Sequence, residues 1–272
     1  MQNDIKGTLL AGKKGLIMGL ANDKSLAWGI SKAAAAQGAE LAFTYQGESL
    51  LKRIKPLAEE LGSNIIIPCD VSTDTGVESA FNELKTHWDN FDFVIHSIGF
   101  SDKNELKDNY YNTSRENFLN TMNISCYSFT SICKYASEMM NNGGSLITLT
   151  YYGSEKVMPN YNVMGVAKSA LETSVKYLAA DLGGKNIRVN AISAGPIRTL
   201  ASSGIGDFRY ILKWNELNAP LQRNTTIEDV GGAAVYLISD LSSGTTGENL
   251  HVDSGYHVVG MKRADAPDIS TV

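Results

Sequence analysis

Residues 143–172 read GGSLITLTYYGSEKVMPNYNVMGVAKSALE, and this stretch predicts a buried strand, a short loop and then a helix. Two glycines lead into a β-branched and leucine run at 145–150, which is typical of an interior strand of a parallel sheet. Pro159 fixes the backbone just before apolar residues begin to recur at helical spacing, from 163 to 178. A strand followed by a helix in this way is one unit of an α/β fold.

The same stretch places candidate catalytic side chains at the end of the strand and along the helix. Tyr151 directly follows the strand, Tyr161 comes ten residues later, and Lys168 comes seven beyond that. Seven helical residues make two turns less about 20°, so Tyr161 and Lys168 share a face, about 10 Å apart along the axis, if the helix has begun by 161. A phenol and an ammonium on one face can stabilise a developing oxyanion and hold a charged or hydroxylated cofactor.

Strand and helix patterns alternate along the whole chain, which predicts a doubly wound, mainly parallel sheet with helices on both faces. The predicted strands lie near 15–20, 40–45, 64–68, 91–96, 145–150, 187–192 and 249–252. The predicted helices lie near 26–37, 49–61, 75–88, 114–140, 161–182, 208–217 and 227–241. We therefore expect a single Rossmann-type α/β domain with a seven-stranded sheet over residues 1–260, followed by a polar, disordered tail at 261–272. Pro56 is expected to kink or split the second helix.

Composition argues against several classes of protein. The 272 residues, 43% hydrophobic and 19% charged, suffice for one α/β core, and no stretch approaches the roughly 18 apolar residues of a membrane span. A net charge of −5 gives no reason to expect nucleic acid or an anionic membrane as a partner. No signal-peptide core is seen, and Cys69, Cys126 and Cys133 form no CxxC pair, so we expect buried thiols in a cytoplasmic protein. The histidines make no metal-binding spacing, and no metal is expected.

The first strand leads directly into GLANDKSLAWG, residues 19–29, and then into an alanine-rich helix. Small residues here let a pyrophosphate approach the backbone, and the free N–H groups at a helix N-terminus favour an anion. The turn departs from the GxGxxG pattern, because Ser25 stands where a glycine is expected and its spacing from Gly19 is longer. Its place as the first strand–helix turn favours a nucleotide site, with a plain strand–helix turn as the alternative.

The ends of the second and third strands indicate which dinucleotide is bound. Gln46 stands where an NAD site usually carries Asp or Glu and an NADP site carries Arg. A neutral amide can bond the ribose hydroxyl, and neither Gln46 nor Gly47 offers a cation for a 2′-phosphate, so we expect NADH. Asp70 and Val71 follow the third strand, where a carboxylate can accept from an adenine amino group. The alternative for Asp70 is the N-cap of a turn. His96, at the end of the fourth strand, is expected to be a packed strand residue.

Four segments together resemble the NADH-dependent enoyl-acyl-carrier-protein reductases, a divergent branch of the short-chain dehydrogenase/reductases. They are GLANDKSLAWG (19–29), HSIGF (96–100), TYYGSEKVMPNYNVMGVAK (150–168) and ISAGPIRTLASSGIGDF (192–208). The resemblance runs from about Leu10 to Gly260. The Tyr-x6-Lys spacing, with a second tyrosine ten residues upstream, is specific to this branch, whereas the wider family uses Tyr-x3-Lys with a serine in the place of Tyr151.

The resemblance implies an enzyme that reduces the trans-2 double bond of enoyl thioesters on acyl carrier protein with NADH, the last step of each fatty acid elongation cycle, and that assembles as a homotetramer. It implies that Tyr161 donates a hydrogen bond to the thioester oxygen, that Tyr151 assists in the same pocket, and that Lys168 bonds the nicotinamide ribose. The implied cofactor-binding residues are Gly19, Ser25, Leu26, Gln46, Asp70, Val71, Ile98, Lys168, Ile197, Arg198, Thr199, Leu200 and Ala201. The implied substrate-binding residues are Ser101, Tyr151, Tyr161 and Phe208. Asn123 matches the relay asparagine of the wider family, but this branch relies on it less, and we leave it out of the catalytic set.

Two other functions stay open on the sequence. Tyr152 and Lys156 also satisfy Tyr-x3-Lys, which would suit a short-chain reductase of a ketone or alcohol. Tyr152 directly follows the strand and Lys156 precedes Pro159, so the helical face that would present both is not expected. A catalytically silent dinucleotide-binding sensor is a different class, which the presence of Tyr161 and Lys168 disfavours.

The segment at about 198–214 combines glycines and short polar residues with a few apolar ones. The apolar residues are Ile205, Phe208, Ile211, Leu212 and Trp214. Together they suit a mobile substrate flap over an acyl chain, and an ordinary amphipathic surface helix is the alternative.

Overall fold

The computed structural model describes residues 6–200, 202 and 205–269. The strands within them are β1 (Lys14–Met18), β2 (Glu40–Tyr45), β3 (Ile66–Pro68), β4 (Phe93–His96), β5 (Gly144–Thr150), β6 (Ile187–Ala194) and β7 (Asn249–Val252). They form one seven-stranded sheet in the order β3-β2-β1-β4-β5-β6-β7, and every neighbouring pair is parallel. The predicted doubly wound α/β fold is confirmed.

Helices cover both faces of the sheet, as predicted. They are α1 (Leu26–Ala36), α2 (Glu48–Glu60), α3 (Asp74–His87), α4 (Arg115–Met122), α5 (Ser128–Ser137), α6 (Asn162–Leu182), α7 (Phe208–Asn218) and α8 (Ile227–Ile238). Side chains alternate between the faces along each strand. In β1, Leu16 and Met18 belong to the core that contains residues of α3, α5 and α6, whereas Ile17 belongs to the core that contains residues of α1, α2 and α8.

The strand order fixes where a ligand can enter. β1 pairs with β2 on one side and with β4 on the other, so the direction of winding reverses between β1 and β4. The loops that follow these two strands diverge, and such a switch point leaves a crevice at the carboxyl edge of the sheet. Gly19 follows β1 at this edge, Ser97 follows β4, and Tyr151 follows β5. The candidate catalytic tyrosine of the strand end therefore lies at the same edge of the sheet as the predicted nucleotide turn, with β4 between their two strands.

The helix predicted at 114–140 is one continuous helical run that contains a π-helical turn, which the sequence did not predict. It consists of α4, a π-helical turn at Asn123–Tyr127, and α5. In the π-helical turn, the Ser125 hydroxyl donates to the Phe100 carbonyl and accepts from the Phe100 N–H, both at 2.9 Å. A π turn is typical of functional sites, and here it is tied to the loop after β4. Pro56, by contrast, lies inside α2 without splitting it.

The ends of the chain's later elements also differ from the prediction in detail. α6 begins at Asn162, so Tyr161 precedes the helix and is not part of it. At the C-terminal end, the Arg263 N–H donates to Asn218 Oδ1 at 3.3 Å and Ala266 is buried. The disorder expected for 261–272 stays a prediction. In the part of the chain that the structure describes, no helix is long and apolar enough to cross a membrane.

Candidate active site

A cleft of about 870 Å³ opens at the carboxyl edge of the sheet, among the loops that follow β1, β4, β5 and β6. A cavity of this size can hold a cofactor-sized ligand. It brings together most of the residues singled out by the sequence. Those that line it are Gly19, Ser25, Leu26, Ile98, Ser101, Tyr151, Tyr161, Lys168, Ile197, Thr199, Leu200 and Phe208.

The turn between β1 and α1 forms the floor of the cleft. Gly19 has a φ of +89°, and a Cβ there would lie 2.0 Å from the Ser97 carbonyl oxygen. Only glycine therefore allows the loops after β1 and β4 to approach this closely. Ser25 is the N-cap residue of α1, but its hydroxyl donates to the Asn22 carbonyl at 2.6 Å and does not cap the helix. The Trp28 N–H already donates to the Ser25 carbonyl at 3.0 Å, so the N–H groups that the first turn can offer to an anion are those of Leu26 and Ala27.

Tyr161 is the buried phenol of the cleft, and its side chain is only 7% exposed. Its ring meets the ring of Tyr151 edge-on, with centroids 5.1 Å apart and an interplanar angle of 77°. Burial is the main reason that the pKa of each phenol lies above its ordinary value, and for Tyr161 the neighbouring Tyr151 adds to the effect. Both phenols are therefore protonated at neutral pH and can donate a hydrogen bond.

Two glycines make room for the Tyr161 ring, and sequence reasoning missed both. A Cβ on Gly153 would lie 2.4 Å from Tyr161 Cδ1, and a Cβ on Gly165 would lie 2.6 Å from the Gly153 carbonyl oxygen. The available signal was a glycine in the first turn of a predicted helix, where helix propensity disfavours it. The loop after β5 is thus pressed against α6 around the phenol.

Lys168 projects from α6 toward the end of β5, and its Nζ donates to the Leu149 carbonyl at 2.8 Å. Burial lowers the pKa of Lys168 to about 8, while Cys126 and Glu172 act in the opposite direction. An ammonium has three N–H donors, and the bond to Leu149 uses one of them. The others can serve a hydroxylated ligand in the cleft.

An apolar cluster surrounds the Tyr161 ring and forms the substrate side of the cleft. Its members are Leu106, Tyr161, Val163 and Met164, with Phe118, Tyr151, Met158 and Ile205 packed against them. Asn162, in the left-handed region with a φ of +38°, donates through Nδ2 to the Leu106 carbonyl at 3.2 Å and so fixes that wall beside Tyr161. An apolar lining with a few convergent polar groups suits an acyl chain with one reactive end.

The alternative pair Tyr152 and Lys156 is not arranged for catalysis. The Tyr152 hydroxyl donates to the His257 carbonyl at 3.1 Å, and its ring packs edge-on against Tyr256. Lys156 is exposed, beyond the short 3₁₀ turn Tyr152–Ser154 that carries Tyr152. The pair does not share a helical face, and neither residue lines the cleft.

Gln46, Asp70 and Val71 lie beyond the cleft, at the ends of β2 and β3. The Ser72 N–H donates to Asp70 Oδ1 at 2.9 Å, which is the turn role that the sequence left open for Asp70. Hydrogen bonds from Ser72 lower the pKa of Asp70, and a bond from the Gln46 side chain acts in the same direction. This end of the site therefore carries an ionised carboxylate next to a neutral amide.

The loop after β6 supplies the wall opposite α6. Ile197, Thr199 and Leu200 line the cleft, whereas Arg198 is exposed and does not. Ala201 lies outside the described residues. Phe208, the first residue of α7, closes this wall.

Ser101 sits in a polar group that the sequence did not reveal in full. Its hydroxyl accepts a hydrogen bond from Thr121 Oγ1 at 2.9 Å. The buried Asn117 lies between Ser101 and the backbone of Asp102, and its Oδ1 accepts from the Asp102 N–H at 3.0 Å. Asn123 Nδ2 donates to the Ser72 carbonyl at 2.9 Å. Its omission from the catalytic set agrees with that placement.

These residues fit a dinucleotide. Gly19 leaves no side chain between the backbone and a pyrophosphate, the first turn of α1 offers N–H donors, and Lys168 offers an ammonium. Among the described side chains, no group of three or more His, Cys, Asp or Glu could hold a metal ion.

Comparison with known proteins gives a consistent assignment. A family model described as enoyl-(acyl carrier protein) reductase matches residues 19–257. An enzyme of Rhizobium meliloti (strain 1021) named enoyl-acyl-carrier-protein reductase (NADH) 1 is 63% identical over 264 residues, covering 97% of each chain. The enoyl-acyl-carrier-protein reductase (NADH) FabI of Bacillus subtilis (strain 168) is 55% identical, over 92% of this chain and 97% of its own length.

Solved structures agree with these relatives. The enoyl-acyl-carrier-protein reductase of Anaplasma phagocytophilum, in complex with NAD, is 62% identical and superimposes with a TM-score of 0.93, covering 97% of this chain and 99% of that one. The Bacillus cereus enzyme, solved with NADP⁺ and indole naphthyridinone, is 50% identical with a TM-score of 0.91, covering 93% of this chain and 99% of that one. The chain therefore belongs to the enoyl-acyl-carrier-protein reductase family, within the short-chain dehydrogenase/reductases.

Proposed function

We propose that this chain is an NADH-dependent enoyl-acyl-carrier-protein reductase, which saturates the trans-2 double bond of an enoyl thioester in the last step of each fatty acid elongation cycle. The observation that carries the proposal is the buried phenol of Tyr161, held 5.1 Å from the ring of Tyr151 in a cleft that also contains Lys168. A protonated donor at the end of an apolar pocket suits the reduction of a thioester-conjugated double bond.

The reaction needs a hydrogen-bond donor at the thioester oxygen that stays protonated at neutral pH. When bound, NADH supplies the hydride that reduces the β-carbon of the substrate. Negative charge develops on the thioester oxygen as the β-carbon is reduced, and Tyr161 donates its phenolic hydrogen bond there. One proton then adds at the α-carbon, which completes the saturation and discharges the oxygen. Its raised pKa keeps it protonated throughout the physiological range. A single pre-positioned donor of this kind contributes about 10²–10³ in kcat.

Tyr151 and Lys168 assist in different ways. Tyr151 supports the Tyr161 ring edge-on and supplies a second phenol to the same pocket. Lys168 would bond the nicotinamide ribose hydroxyls with the N–H groups that Leu149 leaves free, and its positive charge favours the developing oxyanion. Loss of either residue would therefore alter geometry as well as charge.

The remaining cofactor residues fall into sets by position. Gly19, Ser25 and Leu26 would meet the pyrophosphate at the N-terminus of α1. Gln46, Asp70, Val71 and Ile98 would lie along the adenosine half. The residues expected to meet the nicotinamide carboxamide and the remaining phosphate are Ile197, Arg198, Thr199, Leu200 and Ala201.

The substrate would enter on acyl carrier protein, with the acyl chain along the apolar cluster around Tyr161. Ser101 and Phe208 line that end of the cleft and would contact substrate. Five described residues of the 198–214 segment line the same cleft, which supports a flap that covers the acyl chain. They are Thr199, Leu200, Ser202, Ile205 and Phe208.

Assembly as a homotetramer is part of the proposal. Two groups among the exposed apolar side chains lie on elements that pack against opposite faces of the sheet. Leu119, Tyr127, Val166 and Tyr177 lie on the α4–α6 side, and Tyr236 and Leu241 lie on or beside α8. Two apolar faces on one chain suit a tetramer with two kinds of two-fold interface.

Cys69, Cys126 and Cys133 are free and buried, which suits the reducing cytoplasm.

The test of the proposed function is NADH oxidation by the purified protein. We expect turnover with a trans-2-enoyl thioester on acyl carrier protein and no turnover with a panel of ketones. Reduction of ketones that is lost in Tyr152→Phe would instead favour the short-chain carbonyl reductase. NADH binding without turnover of any substrate would favour the silent sensor.

A further inference from the structure

Glu172 lies one helical turn beyond Lys168 on α6, and it bonds both sides of the segment that carries Tyr151. Its Oε1 accepts from Thr150 Oγ1 at 2.6 Å and from Ser154 Oγ at 2.5 Å. Thr150 ends β5 and Ser154 ends the 3₁₀ turn that follows. The two donors therefore flank Tyr151 in the chain, and one carboxylate oxygen joins them.

The neighbouring residues of α6 form hydrogen bonds to the same segment. The Ser169 hydroxyl donates to the Ser154 carbonyl at 2.5 Å, and Lys168 Nζ donates to the Leu149 carbonyl at 2.8 Å. One face of α6 thus holds the backbone before Tyr151 and after it. Of these side chains, Glu172 is the one that binds both ends of the segment.

Three ionisable side chains, from three different elements, interact electrostatically with Lys168. His96 projects from β4, Cys126 from the π-helical turn, and Glu172 from α6 itself. Burial lowers the pKa of His96 to about 3 and raises the pKa of Cys126, so both are neutral at physiological pH. The carboxylate of Glu172 is therefore the charge among these three that favours the ammonium of Lys168.

We propose that Glu172 is a positioning residue for the reaction, which holds the Tyr151 segment in place beside Tyr161 and supplies the negative charge that faces Lys168. This inference rests on the proposed function. Glu172 does not line the cleft, and it acts through residues that do. Its two tasks are separable, because one depends on hydrogen-bond acceptance and the other on charge.

The experiment separates them with Glu172→Gln and Ser154→Ala. Glu172→Gln keeps a carbonyl oxygen for the two hydroxyls but removes the charge. Ser154→Ala keeps the charge but releases one end of the segment. Asp181→Asn removes an exposed carboxylate from the same helix and serves as the matched control. Each variant is assayed for kcat/KM against pH, for its melting temperature, and for the titration of Lys168 by NMR in the cofactor-free, ¹³C-lysine-labelled protein.

In Glu172→Gln we expect the Lys168 titration, and with it the alkaline limb of kcat/KM, to move about one pH unit lower, the size of effect that a nearby opposite charge has. In Ser154→Ala we expect kcat to fall about tenfold, which is about 1.4 kcal/mol of activation free energy, because the Tyr151 segment loses one of its two hydrogen bonds to Glu172. The Lys168 titration should not move. Asp181→Asn should match the wild type.

The inference is overturned if Glu172→Gln titrates and turns over like Asp181→Asn. It is also overturned if both variants lose activity only in proportion to a lowered melting temperature while Lys168 titrates normally, since that would be a merely structural role. Absence of enoyl reduction in the wild type would reject the proposed function instead, and the NMR titration would still decide whether Glu172 controls Lys168.

Discussion

The two walls of the cleft are held in different ways. On the α6 side, hydrogen bonds cross between elements: Lys168 bonds the end of β5, and Ser169 bonds Ser154 of the following turn. On the opposite side, Thr199 and Ser202 exchange hydrogen bonds with each other at 2.8–3.1 Å. The first wall is fixed by the rest of the fold, and the second is organised locally. We therefore propose that the groups needed for chemistry lie on the fixed wall, and that the locally bonded wall is the one that moves when substrate binds.

The strongest test of the fixed wall is Tyr161→Phe. We expect kcat to fall by about 10² or more while NADH affinity stays near wild type, because the lost group acts on the developing oxyanion. Lys168→Ala should weaken NADH binding as well. The measurement is steady-state kinetics together with NADH binding by fluorescence.

Tyr152→Phe is the matched control, since it removes a phenol that donates to the His257 carbonyl outside the cleft. A large loss of kcat in Tyr152→Phe, together with an unchanged kcat in Tyr161→Phe, would show that the wrong tyrosine has been assigned.

Gly153→Ala should lower both the stability and the kcat of the protein, because it disturbs the fixed wall on the α6 side. Its Cβ would lie 2.4 Å from Tyr161 Cδ1, so the phenol or the turn has to shift. Overpacking of this kind costs about 1–3 kcal/mol of stability, and we expect kcat to fall about tenfold or more. Gly183→Ala is the control, because a Cβ there meets no atom within 4 Å. Equal melting temperatures and equal kcat in the two variants would mean that the turn gives way easily.

Cofactor choice tests the far end of the site, away from both walls. A 2′-phosphate near Gln46 would meet the ionised Asp70 and no cation at Gln46 or Gly47. We expect kcat/KM to be at least about tenfold better with NADH than with NADPH, a gap of about 1.4 kcal/mol.

The double variant Gln46→Arg with Gly47→Lys should narrow or invert that ratio and leave the acyl substrate unchanged. Both cofactors are compared at matched ionic strength. Equal use of NADH and NADPH by the wild type would mean that Lys52 or Arg53 reaches the phosphate.

The pKa of Lys168 predicts how activity depends on pH. Burial lowers that pKa to about 8, so the ammonium is present below pH 8 and is lost as the pH rises through it. We expect kcat/KM for NADH to be level below about pH 8 and to fall up to about tenfold for each further unit. Lys168→Arg, whose side chain stays charged, should lack this falling limb. A wild-type profile that stays level well above pH 8 would contradict the assignment.

The smallest expected effect is a change in hydrogen exchange on the wall opposite α6. Hydrogen exchange should slow across the described residues 205–214 when NAD⁺ and a substrate analogue are added, and residues 161–172 should change little. Peptides from the two segments in one experiment make the comparison internal. Equal protection of 205–214 in the free and bound states would remove the support for a flap.

The sheet could be predicted from the sequence because its strands are short apolar runs with glycine or polar residues at their ends. Within the helix predicted at 114–140, the π-helical turn Asn123–Tyr127 was missed, because the contacts that accompany it are bonds from Ser125 to the distant Phe100. No local pattern carries that information. Tertiary contacts decided the structure there.

The same limit applies to the site. Tyr151, Tyr161 and Lys168 were found from spacing and from a family resemblance. Gly153 and Glu172 were missed, because their importance depends on what lies across from them in another element. Asp70 was left with two roles, and the structure supplies the turn contact that the sequence could only suggest.

The strand order has a consequence for how the chain can fold as it is synthesised. β2 adds beside β1, β3 beside β2, β4 on the free side of β1, and β5, β6 and β7 follow outward from β4. Each strand therefore joins an edge that earlier strands have already made, and none has to be inserted between two paired strands. Parallel pairing is slow when its partners are far apart in the chain. Growth at open edges lets this sheet assemble in the order in which the ribosome delivers it, with β7 added last as an edge strand.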